Sequence, residues 1–241
     1  MAQFVELWVY LSATPLFGLT ATLVVYVLAQ AAYARLDHAP WANPVLWSVL
    51  CIGAVLLVTR LPYPTYFAGA QFIHFLLGPA VVALGWPLWQ RRAELRQRWG
   101  RLLLAALAGG GAASATAVVL GRALDLPADV VLSMAPKSVT APVAMGVAQA
   151  IGGIPALAAV FAVITGLVGA LSGKYLFDGL RIARDPAGWR ARGFALGTAA
   201  HGIGAARALQ VDADAGAYAG LALGLQVVLA SLLIPLVFRW L

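Results

Sequence analysis

The sequence predicts an all-α polytopic membrane protein with about six full transmembrane crossings plus two re-entrant or broken helices. Three observations predict it. First, the 241 residues are 62% hydrophobic and only 10% charged, against ~45–50% and ~25% in an average soluble domain. Too few polar side chains remain to cover a soluble surface. That excludes an ordinary soluble enzyme, a nucleic-acid binder and a disordered chain. Second, charge-free runs are long: Leu7–Ala34, His38–Thr59, Leu61–Gln90, Leu102–Gly121, Ser138–Gly173 and Ala215–Phe238. Third, the net charge of +7 comes mostly from arginines between those runs, in two clusters. One holds Arg91, Arg92, Arg96, Arg98 and Arg101; the other holds Arg181, Arg184, Arg190 and Arg192. Juxtamembrane arginine marks cytoplasmic loops, whereas nucleic acid calls for a continuous basic stripe with exposed aromatics.

A helix needs about 20 apolar residues to cross the hydrocarbon core. Crossings are therefore expected at roughly 15–34, 43–60, 68–89, 102–121, 154–177 and 215–238. Residues 1–14 lack a basic start and carry Glu6, so the first crossing is expected to stay as a signal anchor. No soluble domain or linker interrupts the pattern, giving a single integral membrane domain over 1–241. The single cysteine, Cys51, excludes an intramolecular disulfide and any CxxC motif.

Segments 129–152 and 193–210 are left over, rich in Gly, Pro, Ser or Thr, each holding a cation. Charge counting assigns them. With Arg91–Arg101 inside, 102–121 runs outward. A full crossing at 129–152 would then leave the Arg181–Arg192 cluster outside, against the positive-inside rule. If 129–152 enters and turns back, both clusters stay inside and 193–210 becomes a dip from the inside. Eight crossings with two unwound helices is the alternative. Interrupted helices entering from opposite faces are a transporter pattern, because irregular backbone at membrane depth must be buried in protein or line a cavity. An inverted repeat fits the same pattern. Phe75–Gly85 (FLLGPAVVALG) weakly echoes Ser138–Ala148 (SVTAPVAMGVA).

Lys137 opens the longest charge-free run and follows Pro136, a helix breaker. An ionised Lys at bilayer depth costs ~2.5–3.5 kcal/mol on insertion scales, so it marks a functional site by default. Ser138 and Thr140 lie beside it, and Pro142 is preset for the first turn of a half-helix. Free N–H groups there, with the ammonium and two hydroxyls, suit a small carboxylate. The competing reading has Lys137 snorkelling to the interface. His201 and Arg207 form a second pole. Arg207 can fork onto a carboxylate, and His201 can carry a proton with an anion. Their alternatives are an interfacial anchor beside Asp212 and Asp214, and a hydrogen-bonded core histidine.

Cavity or gating roles fall to Gln71, His74, Pro142, Gly152, Gly153, Gly202 and Gly204. Gln71 and His74 share a helix face before Gly78-Pro79, where packing is the favoured role. Lys174 and Asp178 are four apart and are expected to pair at a helix end. Gly169-Gly173 and Gly216-Gly220-Gly224 are small-xxx-small faces for packing within the chain or in a homodimer. Three scattered histidines offer no metal site, no cofactor motif is present, and two Glu leave little for acid–base catalysis.

Three stretches carry a family resemblance: QFIHFLLGP at 71–79, PKSVTAPVAMGVAQAIGGIP at 136–155 and GFALGTAAHGIGAARALQ at 193–210. In this order they resemble the LrgB/CidB family of bacterial membrane proteins, over nearly the whole chain. The resemblance implies the bacterial cytoplasmic membrane and two competing roles. One is an antiholin-like regulator of murein hydrolase export and autolysis. The other is transport of a small organic anion, since the family is related to the plastid glycolate/glycerate transporter and some members move pyruvate. It also implies a small LrgA/CidA-type partner protein and a transporter-like fold. The family often has Thr where this chain has Ala205, and an acidic residue at Gln210 and at Gly146. A carboxylate proton carrier at position 146 is therefore in doubt. Lys137, Ser138, Thr140, His201 and Arg207 match the family's pattern. The leading expectation is a proton-coupled transporter of a monocarboxylate or 2-hydroxy acid, not an enzyme.

Overall fold

The computed structural model describes residues 15–76, 79, 89 and 92–239. Among them it is all helical, confirming an all-α polytopic membrane protein. The chain divides into two compact units, 1–83 and 84–241.

The first unit contains α1 (Pro15–Arg35), α2 (Pro44–Thr59) and α3 (Tyr63–Phe75). Asn43 caps α2, its side chain accepting from the Val45 and Leu46 amides at 2.9 and 3.2 Å. Gly18 lets α1 close on α3, where a Cβ would lie 2.0 Å from the Tyr66 carbonyl oxygen. One turn on, the Thr22 and Tyr66 hydroxyls bond at 2.7 Å. The expected crossing at 68–89 starts earlier, at Tyr63, because Pro64 fits a first helical turn. Most of it beyond Leu76 lies outside the described residues, as does most of the 75–85 echo.

The second unit contains α4 (Arg92–Ala123), α5 (Ala128–Met134), α6 (Ala141–Ala150), α7 (Pro155–Gly179), α8 (Pro186–Val211) and α9 (Ala213–Phe238). Helices α4, α7 and α9 are long and apolar enough to cross a membrane, as is α1. Helices α4 and α9 run parallel. Leu102 and Ala106 cluster with Tyr218 and Ala222 at one end, Val118 with Ile234 and Phe238 at the other. Between them, the Gln226 amide donates to the Ala106 carbonyl at 2.6 Å.

Segment α5–α6 enters and turns back. Gly121, near the end of α4, faces Val131 and Met134 of α5. After α6, the chain returns to α5: the Ser133 hydroxyl accepts the Ile154 amide at 2.7 Å and donates to the Asp129 carbonyl at 2.6 Å. Gly152 turns with φ +87°, and a Cβ on Gly153 would sit 2.9 Å from the Ser133 nitrogen. This first hairpin therefore opens and closes beside the end of α4.

Helix α8 is a second hairpin. His201 has φ 42° and ψ −133°, which no helix tolerates. A Cβ on Gly193 would lie 2.0 Å from the Ala215 carbonyl, and one on Gly197 2.1 Å from that of Ala219. Both partners advance together, so the arm before His201 runs parallel to α9. The arm after it must return to reach the start of α9. It does so against its own partner arm: a Cβ on Gly204 would meet Leu196 O and the Ala200 methyl at 2.7 Å each. The hairpin begins at Pro186, earlier than the expected 193, because Asp185 caps it by accepting the Gly188 amide at 2.7 Å.

Helix α7 runs antiparallel to that first arm, Gly173 facing Leu196, Gly169 facing Ala200 and Gly166 facing His201. The connection is fixed by Asp178, which binds Arg184 at 2.6 Å and Arg192 at 2.9 Å. The expected Lys174–Asp178 pair is not formed, because these two arginines take both carboxylate oxygens. Arg192 is itself 4% exposed, with its guanidinium over Phe177 and Trp189.

Leu102, Phe194 and Tyr218 share one cluster. It places the start of α4, the base of α8 and the start of α9 at the same end of the unit. Both arginine clusters border that end, as the charge pattern predicts. The two hairpins enter from opposite ends, and a crossing followed by a hairpin occurs twice in opposite senses.

Candidate functional site

The first hairpin breaks at 135–140 because Pro136 cannot continue α5. Pro136, Ser138 and Val139 are buried at the break, while Lys137 is half-buried. The Lys137 ammonium donates to the Ser138 hydroxyl at 3.5 Å and, among the described residues, makes no ion pair. Thr140 is the N-cap of α6, yet its hydroxyl makes no capping bond. Pro142 lies in the first turn of α6, as the sequence predicts, and is exposed. The first amides of α6 therefore lack a side-chain cap beside a cation and two hydroxyls, an arrangement that suits an anion.

The second hairpin puts His201 at its tip, 4% exposed. His201 Nε2 lies 2.7 Å from the Ala162 carbonyl. That oxygen can only accept, so Nε2 carries the hydrogen and Nδ1 is the nitrogen left to take a proton. Arg207 lies on the returning arm and is 7% exposed. Gly202 has open space where a Cβ would go, and Gly204 allows the two arms to touch.

The two breaks converge on one stretch of α7. At ~1.5 Å per residue the ten residues of α6 descend about 15 Å, which along α7 reaches the level of Thr165. Val139, from the first break, belongs to the same packed cluster as Ala162, whose carbonyl holds His201. Thr165 lies midway along the 25 residues of α7. The structure thus brings the Lys137–Thr140 break and the His201 tip beside the middle of one helix, α7.

Other expected residues fall elsewhere. Gly152 and Gly153 form the mouth of the first hairpin, not its tip. Gln71 is exposed in α3, its amide donating to the Ala68 carbonyl at 2.8 Å. The His74 side chain lies outside the described residues. Among the described residues, no three His, Cys, Asp or Glu gather as metal ligands.

Sequence reasoning missed Thr198 and Gln226. Both are buried and face the glycine run of α4, Thr198 at Gly109 and Gln226 at Gly110. The signal was available. Thr198 precedes His201 by three residues, one helical turn, and Gln226 is the one amide in the run 215–238. Gln226 also lines a cavity of about 410 Å³ between α4 and α9, together with Ser114 and mostly apolar side chains.

Comparison with known proteins places these features in a family. The model of the LrgB-like family matches residues 22–240. The Bacillus subtilis protein YxaC is 34% identical over 216 residues, 90% of this chain and 92% of that one. A Haemophilus influenzae protein described as uncharacterized is 31% identical over 197 residues, 82% of this chain and 84% of its own. The Staphylococcus aureus holin-like protein CidB is 30% identical over 214 residues, 89% of this chain and 91% of its own. No solved structure matches the chain.

Proposed function

This chain belongs to the LrgB-like family of multi-pass bacterial membrane proteins, and on that premise we propose that it is a secondary transporter of a small monocarboxylate or 2-hydroxy acid. The substrate class is glycolate, glycerate, lactate or pyruvate. One observation carries the reading: two hairpins from opposite ends of the unit both break beside the middle of α7. A pore or a packing surface needs no such convergence. Lys137, Ser138, Thr140, His201 and Arg207 hold the acid between the two tips. The Lys137 ammonium and the first amides of α6 meet the carboxylate, and the hydroxyls of Ser138 and Thr140 fill its remaining acceptor sites. His201 Nδ1 takes a proton as the anion binds, which couples the two. One hairpin then opens while the other stays closed, giving access from each side in turn. No covalent step is involved, so the chain is not an enzyme in this reading.

A second reading is favoured by the relatives' names. A holin-like role predicts a chain that assembles pores, or restrains them, with a small LrgA/CidA-type partner protein. That reading gives the half-buried Lys137 of the first break no task.

Proteoliposomes carrying the purified chain separate the two. Transport predicts saturable uptake of labelled glycolate, lactate or pyruvate, accelerated by an inward proton gradient, with trapped dye retained. Dye leakage with no substrate dependence would support the holin-like reading and remove the transport one.

A further inference from the structure

Hydroxyls in apolar helices normally bond the carbonyl four residues back, since no water reaches them. In this chain Thr22, Thr59, Thr116, Ser133, Ser172 and Ser231 all do so, at 2.6–2.7 Å. Thr198 does not. Its hydroxyl is buried with no hydrogen-bond partner among the described residues, and the residue is 6% exposed. The half-buried Ser48 also lacks one. At Thr198 the omission is costly, because a buried hydroxyl without a partner has lost its hydrogen bond to water, and a χ1 rotation toward the Phe194 carbonyl would restore one.

Gly109 explains why the side chain does not rotate. The Thr198 methyl lies 2.9 Å from the place where a Cβ on Gly109 would sit. The missing side chain on α4 makes a seat for the methyl, which turns the hydroxyl off the helix's own carbonyls. Thr198 stands one turn before the His201 tip, about 4.5 Å along the axis, turned to α4 where His201 turns to α7.

We propose that Thr198 is a further substrate-contacting residue, its hydroxyl donating to the carboxylate of the carried acid, with Gly109 as its positioning residue. This rests on the transport reading. The helix forgoes a local bond and makes a charge-assisted one to the anion.

The test is initial-rate uptake of labelled glycolate by proteoliposomes of the full chain, paired with thermal melting of the same protein in detergent. Thr198→Val should raise KM about tenfold or more, the loss expected for a hydrogen bond to a charged group. Its melting midpoint should hold or rise, because a buried unpaired hydroxyl has been removed. Thr198→Ser, which keeps the hydroxyl but loses the methyl seated on Gly109, should raise KM less than the valine variant. Gly109→Ala should copy the valine variant by unseating the methyl. A valine variant with wild-type KM overturns the proposal, as does one whose melting midpoint falls, which marks a structural hydroxyl. Wild-type protein that takes up no acid removes the transport reading instead, so the two failures are distinct.

Discussion

Replacing Lys137 with alanine should reduce saturable uptake to the level of empty liposomes while leaving the fold intact or more stable. The two halves of that expectation have one cause. Lys137 lies beside buried Pro136 and Ser138, and among the described residues a weak 3.5 Å contact with the Ser138 hydroxyl is all that offsets its charge. An ammonium at bilayer depth costs ~2.5–3.5 kcal/mol on insertion scales. Removing it relieves the fold and deprives the anion of its cation. A structural lysine behaves in the opposite way, because truncating one member of a buried ion pair leaves a charge stranded. If Lys137 merely snorkels to the interface, the alanine variant keeps wild-type uptake.

The largest stability loss is expected at Gly197. Alanine there would put a methyl 2.1 Å from the Ala219 carbonyl oxygen, which is backbone of a neighbouring long helix. Neither side can rotate away, so α8 and α9 must separate. Overpacking of this kind costs about 1–3 kcal/mol and more when backbone must shift. The readout is the melting midpoint and monodisperse yield in detergent. Gly146→Ala serves as the control, because nothing lies within 4 Å of its Cβ position. It should stay within about 0.5 kcal/mol of wild type. Equal melting of the two variants would contradict the parallel, backbone-to-backbone seam that defines the second hairpin.

Charge placement made the topology of the second unit legible. The two arginine clusters favour re-entry over eight crossings at both hairpins, because a full crossing at 129–152 would carry one cluster across. Pro136 and Pro142 mark the first break directly. The second break was less visible. Gly197, Gly202 and Gly204 suggest tight turns, but the residue that leaves helical geometry is His201, with φ 42°. A histidine gives no warning of that, and its bond to the Ala162 carbonyl of α7 holds it there. The Lys174–Asp178 pair failed for a similar reason. Spacing within a helix says nothing of Arg184 and Arg192, which approach Asp178 through the following loop and hairpin. Thr198 was hidden because what sets it apart is a missing bond, which emerges only from the three-dimensional packing.

The central claim is that the two breaks meet at mid-depth and enclose the substrate. Paired cysteines test it most directly. Cys51 is the only cysteine and is exposed, so Cys51→Ser gives a clean background. Thr140→Cys then marks the first break and Gly202→Cys the second, where a side chain has room. The account predicts rapid cross-linking by a short bifunctional maleimide, slowed by glycolate in proportion to its occupancy. Cysteines that react singly but never with each other would contradict it.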